Sequence, residues 1–344
     1  MTHRFPIKEI ARQAGLGTAT VDRVLNNRAH VSPQTRARVK AAVKELETQE
    51  RQLAARGRRM FVDVIVEAPQ RFSRQIKSAC ETVLPEHSEA VFRPRFLFQE
   101  TMTESEIEDA LSRIKKRSSH GVILKLRDIP TVRRLVDGLE EAGIATVTLV
   151  TDITGSRRSA YVGINNAAAG RTAAYLLANV MGPARGTILT NRSQEEFQGE
   201  AERYSNFRDL ILALRPQNEI LEIVGGAGLT GDTRRQLSEK LGGVDDIAAV
   251  YSMGGGNRTI LEVLREERRS PQHFIAHDLD ADNYQLLRDR EISFILHHDL
   301  RRDIAGAFRA LAARQGLIAP VQPIHFSDLQ IITPHNLPAR NCPA

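Results

Sequence analysis

The sequence predicts two structural classes in one chain: an all-α helix-turn-helix unit over residues 1–59, and an α/β body over residues 60–344 made of two parallel, doubly wound lobes. Three observations carry that expectation. Residues 1–59 hold 13 Lys and Arg against 5 Asp and Glu, a net +8, whereas the remaining 285 residues hold 35 against 37, a net −2. Two short apolar-faced segments flank a glycine turn within the basic part. From Phe61 onward, β-rich runs alternate with helix-length stretches.

In the basic unit, Ile7, Ile10, Ala11 and Ala14 follow an i, i+3, i+4, i+7 spacing, one apolar face of a short helix. Gly15-Leu16-Gly17 breaks it, since Gly15 can take the positive φ of a sharp turn. A second helix is expected from Thr18 to Leu25, with Val21, Val24 and Leu25 inward and Thr18, Ala19, Asp22, Arg23 and Asn26 outward. Ser32-Pro33 reads as an N-cap and first helical residue. The helix it opens places Val39, Val43 and Leu46 on one side. A basic surface on such a three-helix unit points to a polyanion partner.

The body reads as strands at Val62–Val66, Gly121–Leu126, Thr146–Val150, Gly186–Thr190, Ile220–Val224, Ile247–Ser252, His273–His277 and Phe294–His297. Amphipathic stretches lie between them, at Ser105–Lys116, Thr131–Ala142, Glu202–Leu214 and Asn257–Glu266. Repeated β–α alternation means parallel sheets with helices on both faces, and about 270 residues suit two lobes better than one. In open α/β sheets the ligand binds beyond the carboxyl ends of the strands. Gln70-Arg71-Phe72-Ser73, Thr151-Asp152, Arg192 with Arg203, Gly254-Gly255-Gly256-Asn257, Asp278 and His298-Asp299 are therefore the candidates.

At residue level the chain resembles the LacI/GalR (lactose-repressor-like) family of bacterial regulators. Ile7 to Gly15 (IKEIARQAG), Thr20 to Asn26 (TVDRVLN) and Val31 to Arg36 (VSPQTR) carry the likeness. It implies that the second helix lies in the major groove of a near-palindromic operator. Thr18, Ala19 and Arg23 then stand at base-reading positions, Arg23 being suited to guanine, and Thr20, Asn26, Ser32 and Thr35 at phosphate-contact positions. Gly17 and Asp22 replace usual serines. Asp22 sets a carboxylate beside Arg23, where it either orients the guanidinium, accepts from cytosine or lowers affinity. The resemblance also implies a hinge helix after the third helix, with a leucine wedged into the minor groove. Here Glu47–Arg59 lacks the usual proline and is shorter, leaving Leu53 as the wedge candidate.

For the body, the resemblance implies a periplasmic-binding-protein-like effector domain that binds a small sugar or polyol between its lobes. The expected ligand residues are Phe72, Ser73, Asp152, Arg203, Asn257, Asp278 and His298. A homodimer or higher oligomer is implied as well, because one headpiece reads a half-site.

Rival classes are weaker. Gly226-Ala227-Gly228-Leu229-Thr230-Gly231 satisfies the dinucleotide fingerprint, but it lies deep in the body rather than in a first βαβ unit. Neither a P-loop, a serine nucleophile elbow nor a clustered Cys/His site is present, so no catalytic residue, metal or cofactor is expected. Cys80 and Cys342 stand too far apart for a redox or metal motif. With no apolar run near the ~20 residues of a membrane span and no signal-peptide core, a cytoplasmic protein is expected. The competing function is a sugar- or nucleotide-binding enzyme with an accessory basic N-terminal domain, which leaves the headpiece motifs without a role.

Overall fold

The computed structural model describes residues 4–28, 31–55, 58–183, 185–244 and 246–338, with backbone alone for 48–55. The N-terminal unit is three helices, α1 (Ile7–Ala14), α2 (Thr18–Leu25) and α3 (Pro33–Ala55). Phe5, Ile10, Ala11, Val21, Val24, Val39 and Leu46 form its core. Gly15 closes α1 at φ 60°, and Arg38 of α3 donates to the terminal Ala14 carbonyl at 2.8 Å. The first turn of α3 is capped by Ser32, whose Oγ accepts from Thr35 N at 3.1 Å.

α3 departs from expectation. Instead of a break and a separate hinge helix, one helix of 23 residues runs to Ala55. The sequence explains this: Gln34 to Ala55 contains neither Pro nor Gly and is rich in Ala, Glu, Lys, Arg and Gln. The side chain of Leu53, the wedge candidate, lies outside the described residues.

The body has two six-stranded sheets. The first lobe contains β1 (Arg59–Glu67), β2 (Val91–Gln99), β3 (Gly121–Lys125), β4 (Ala145–Leu149), β5 (Ala160–Ile164) and, from the far end of the chain, β11 (Ile324–Ser327), ordered β11-β5-β4-β3-β1-β2. All its pairs are parallel. Helix α4 (Gln70–Val83) follows β1, α5 (Glu104–Lys116) follows β2, and α6 (Pro130–Glu141) follows β3. The second lobe contains β6 (Thr187–Arg192), β7 (Glu219–Val224), β8 (Ile247–Ser252), β9 (His273–His277), β10 (Phe294–His297) and β12 (Gln330–Ile332), ordered β12-β10-β9-β8-β6-β7. Only its edge strand β12 pairs antiparallel.

The chain crosses between lobes three times: from β5 into α7 (Asn166–Val180), from β10 into α12 (Leu300–Arg314), and from β11 into β12. Ile304, Phe308 and Leu311 of α12 complete the first lobe's core beside Val62, Val64 and Ile76. In the second lobe, α8 (Gln198–Leu214) packs closely on α7, with α9 (Thr230–Lys240), α10 (Asn257–Glu266) and α11 (Ala281–Arg288) completing the cover. The contact is tight at Gly170 of α7, where an added Cβ would sit 2.2 Å from the Arg203 carbonyl oxygen. Phe207 of α8 and Tyr251 of β8 pack against each other with tilted rings, 4.6 Å between centroids.

Candidate functional site

Two sites emerge. On the three-helix unit, burial of Val21 and Val24 turns the opposite face of α2 outward, leaving Thr18, Ala19, Arg23 and Asn26 exposed and Thr20 and Asp22 half-buried. Asp22 does not engage Arg23. Its carboxylate accepts from Asn26 Nδ2 at 2.8 Å and lies 3.6 Å from Arg28, one turn and more along the chain. Arg23 therefore projects without an ion pair among the described residues. Ser32 and Thr35 share a hydroxyl contact at 2.8 Å, so the expected phosphate-contact pair is the α3 cap itself. Gly17 opens α2 with no side-chain cap, and nothing lies within 4 Å of where its Cβ would be.

The second site is a cavity between the lobes. It forms where the carboxyl ends of β1, β3 and β4 face those of β6, β8 and β9. Phe72 and Arg71, on the first turn of α4, line one side, with Lys125 at the end of β3. Arg203, Glu200 and Phe197 line the other, beside His277, Asp278 and Asp280 beyond β9. Three cations, Arg71, Lys125 and Arg203, face three carboxylates, Glu200, Asp278 and Asp280.

Arg203 is buried, and its Nε donates to Asn166 Oδ1 at 2.7 Å, leaving further guanidinium donors toward the cavity. Lys125 donates to the Glu67 carbonyl at 3.1 Å and sits 3.9 Å from the Phe197 ring centroid. Burial lowers its pKa to about 8, partly offset by Glu200 and Glu67. His277 is held neutral by burial and by Arg203. Its Nε2 meets Tyr251 Oη at 2.8 Å, while Nδ1 has no partner among the described residues. Arg71 spans the cleft, reaching Gly228 O at 3.0 Å and Asp280 Oδ2 at 3.2 Å.

Of the seven residues expected to touch ligand, Phe72, Arg203 and Asp278 are brought together on this wall. The other four lie off it. Ser73 points to the far side of α4, bonded to Ala68 O, because successive helical residues diverge by about 100°. Asp152 is turned to a separate hinge cavity and chelated by Arg158. Asn257 is buried at the start of α10 and donates at 2.8 Å to Asn283, which does line the cavity. His298 sits behind Asp278, with Nε2 at 3.3 Å from its carboxylate and Nδ1 on Asp303 of α12. Burial opposes its charge, yet hydrogen bonds to Asp278 and Asp303 prevail and push its pKa up to about 9. Burial likewise opposes a charged Asp278, but the His298 bond and charge hold its carboxyl well below the usual range. His298 thus orients the cavity-lining carboxylate from behind.

Lys125, Phe197, Glu200, Asp280 and Asn283 were not anticipated. Lys125 left a signal, a charge closing the apolar run Gly121-Val122-Ile123-Leu124 at a strand's carboxyl end. The fingerprint-like glycines form the loop before α9, where Gly225, Gly226 and Gly228 have positive φ and the Gly228 carbonyl receives Arg71.

Comparison with known proteins agrees with this geometry. Residues 99–315 match the family described as periplasmic binding protein domain, and residues 6–48 match bacterial regulatory proteins, lacI family. The chain belongs to the periplasmic-binding-protein domain family, with a lacI-family headpiece at its N-terminus. Among curated relatives is the HTH-type transcriptional regulator TreR of Salmonella typhimurium, 32% identical over 127 residues, which are 36% of this chain and 39% of that regulator. TreR of Escherichia coli is 33% identical over the same lengths. The chain thus aligns with well under half of these relatives' length. Among solved structures, an ABC transporter solute-binding protein from Burkholderia graminis in complex with D-arabinose superposes with a TM-score of 0.73 at 18% identity, covering 82% of this chain and 97% of that one. GanP, a glucose-galactose binding protein from Geobacillus stearothermophilus, gives 0.72 at 18%, covering 81% and 99%. These likenesses establish the two-lobed fold. Among the described residues, no helix is long and apolar enough to cross a membrane.

Proposed function

We propose that this protein is a cytoplasmic DNA-binding transcriptional repressor whose operator affinity is set by a small sugar or polyol held between the lobes of its body. The headpiece grips a half-site and a homodimer grips a near-palindrome. The observation that carries the effector reading is the cavity wall. It balances three cations against three carboxylates, adds an unpartnered imidazole nitrogen and supplies two phenyl rings. A charged ligand would unbalance such a wall, whereas an uncharged polyol offers each group a hydroxyl that both donates and accepts. The rings of Phe72 and Phe197 offer apolar faces to the carbon skeleton.

Coupling follows from the connections. Effector contacts to Asp278 reach α12 through His298 and Asp303, and α12 packs into the core of the lobe that bears the headpiece. A ligand that prefers one lobe arrangement shifts the equilibrium by its differential affinity, and operator binding shifts reciprocally.

A thermal-shift screen of sugars and polyols identifies the effector, since a ligand at about 100 times its dissociation constant adds ~2.7 kcal/mol. Arg203→Ala and Asp278→Ala should each weaken the hit at least about tenfold, because a charge-assisted bond is worth ~1.5–3 kcal/mol. Wild-type effector affinity in both variants would place the ligand elsewhere.

A further inference from the structure

We propose that the N-terminal rim of the first lobe is a second DNA-phosphate surface, formed by Arg58, Arg59, Arg93, Arg95 and Arg117, which holds the duplex alongside the headpiece. The proposal rests on the DNA-binding reading above and extends it to the body, whose near-neutral overall charge gave no hint of it. β1 and β2 run in register from Arg59 opposite Val91 to Asp63 opposite Arg95. Alternate strand residues share a face, so Arg59, Phe61, Asp63, Arg93 and Arg95 project together at one corner of the sheet. Arg117, just past α5, joins them 3.5 Å from Asp63.

Arg93, Arg95 and Arg117 of the body thus lie at the same end of the sheet as Arg58 and Arg59, which close the basic N-terminal stretch, and Asp63 is the carboxylate that Arg95 and Arg117 reach. Asp63 serves Arg117 at 3.5 Å, Arg95 at 4.0 Å and the Ser119 hydroxyl, while Arg95 also lies 4.6 Å from the half-exposed Phe61 ring centroid. Arg58, Arg59 and Arg93 are exposed and make no ion pair among the described residues.

Two ordinary explanations fall short. A helix dipole accounts for Arg117, the C-cap of α5, together with Arg113, Lys115 and Lys116, but not for Arg59, Arg93 and Arg95 on strands. Edge protection accounts for Arg93 on the outer strand β2, but not for Arg58 and Arg59, since β1 lies inside the sheet between β2 and β3.

Connectivity places the rim where phosphates are. α3 begins at the Ser32–Thr35 cap and, at 1.5 Å per residue, extends roughly 35 Å, about one turn of duplex. The step from Ala55 to Arg59 spans at most ~14 Å. Arginine suits this task, since its planar fork matches phosphate oxygens and stays charged. Phosphate contacts there would strengthen binding without reading sequence.

The test uses the full chain and a mixed-sequence duplex of about 40 base pairs, because phosphate contact is independent of sequence. Affinity is measured by anisotropy between about 50 and 200 mM KCl for wild type, for Arg58→Gln/Arg59→Gln/Arg93→Gln, and for the corresponding triple lysine variant. Each lost phosphate contact lowers the slope of log affinity against log salt by ~0.9, so the glutamine variant should lose about 2.7. Wild type would then forfeit roughly 40-fold more affinity than that variant over the fourfold salt range. Lysines should restore the slope, which a packing role for the arginines would not predict. Arg93→Gln alone, at the sheet edge, should lower it by about one third as much. A wild-type slope in the glutamine variants overturns the rim, leaving the headpiece reading intact; a wild-type chain without salt-sensitive duplex binding overturns both.

Discussion

Replacing Arg71 with Ala removes a side chain that ties the lobes together at two points, Asp280 at 3.2 Å and the Gly228 carbonyl at 3.0 Å. Buried bonds to a charged group are worth ~1.5–3 kcal/mol each. The Arg71 side chain is 33% exposed, however, so solvent screening takes much of that, and exposed pairs measure ~0–1 kcal/mol. About 1–2 kcal/mol of closure energy is then at stake, a factor of roughly 5–30 between closed and open lobes. The ligand-free variant should expand in small-angle X-ray scattering. A sugar that binds the closed form must repay the lost closure, so calorimetry should show its affinity falling by a similar factor. Gln75, which donates to the Leu279 carbonyl at 3.4 Å, remains and keeps the loss partial. Unchanged scattering together with wild-type sugar affinity would refute Arg71 as a latch.

Three further outcomes are expected. Arg23→Ala should cost ~1–3 kcal/mol on operator DNA and much less on random duplex; equal losses in a mobility shift would remove Arg23 from base reading. His298 has a folded pKa near 9 against a reference of 6.5, so its pairing stabilises the fold fully below about pH 6.5. That contribution fades as pH rises toward 9, and His298→Gln should flatten this limb of a urea-stability profile against pH; an unaltered limb would contradict it. Gly170→Ala should destabilise the body by ~1–3 kcal/mol, because its Cβ would press the Arg203 carbonyl at 2.2 Å. It should also weaken effector binding by shifting α8, and a wild-type melting temperature with intact affinity would show that the helices yield.

The headpiece was legible almost residue by residue, because short helices around Gly15 are governed by local spacing and capping. The eight anticipated body strands all appear, but β2, β5, β11 and β12 do not announce themselves. Pro94 and three charged or polar side chains interrupt the apolar pattern of β2, an edge strand that tolerates both. β11 and β12 are three- or four-residue pieces recruited by crossovers, and their burial is mostly slight. Site residues were legible where a side chain follows a strand directly, as with Asp278. They were not where orientation depends on packing: Ser73 and Asp152 are adjacent to cavity residues yet face away, and His298 acts through its neighbour. The long α3 was hidden by the resemblance itself, which implied a break that this helix-forming stretch does not contain.

The three crossovers also govern the order in which the protein can be completed during synthesis. The headpiece has its own core and emerges first, while the lobe beside it waits for α12 and β11, some 130 residues beyond β5. A chain released before Leu300 therefore lacks Ile304, Phe308 and Leu311, and leaves apolar surface such as Val62, Val64 and Ile76 uncovered. Uncovered surface of that kind invites proteolysis and aggregation. Prematurely terminated chains thus carry a built-in mark for removal.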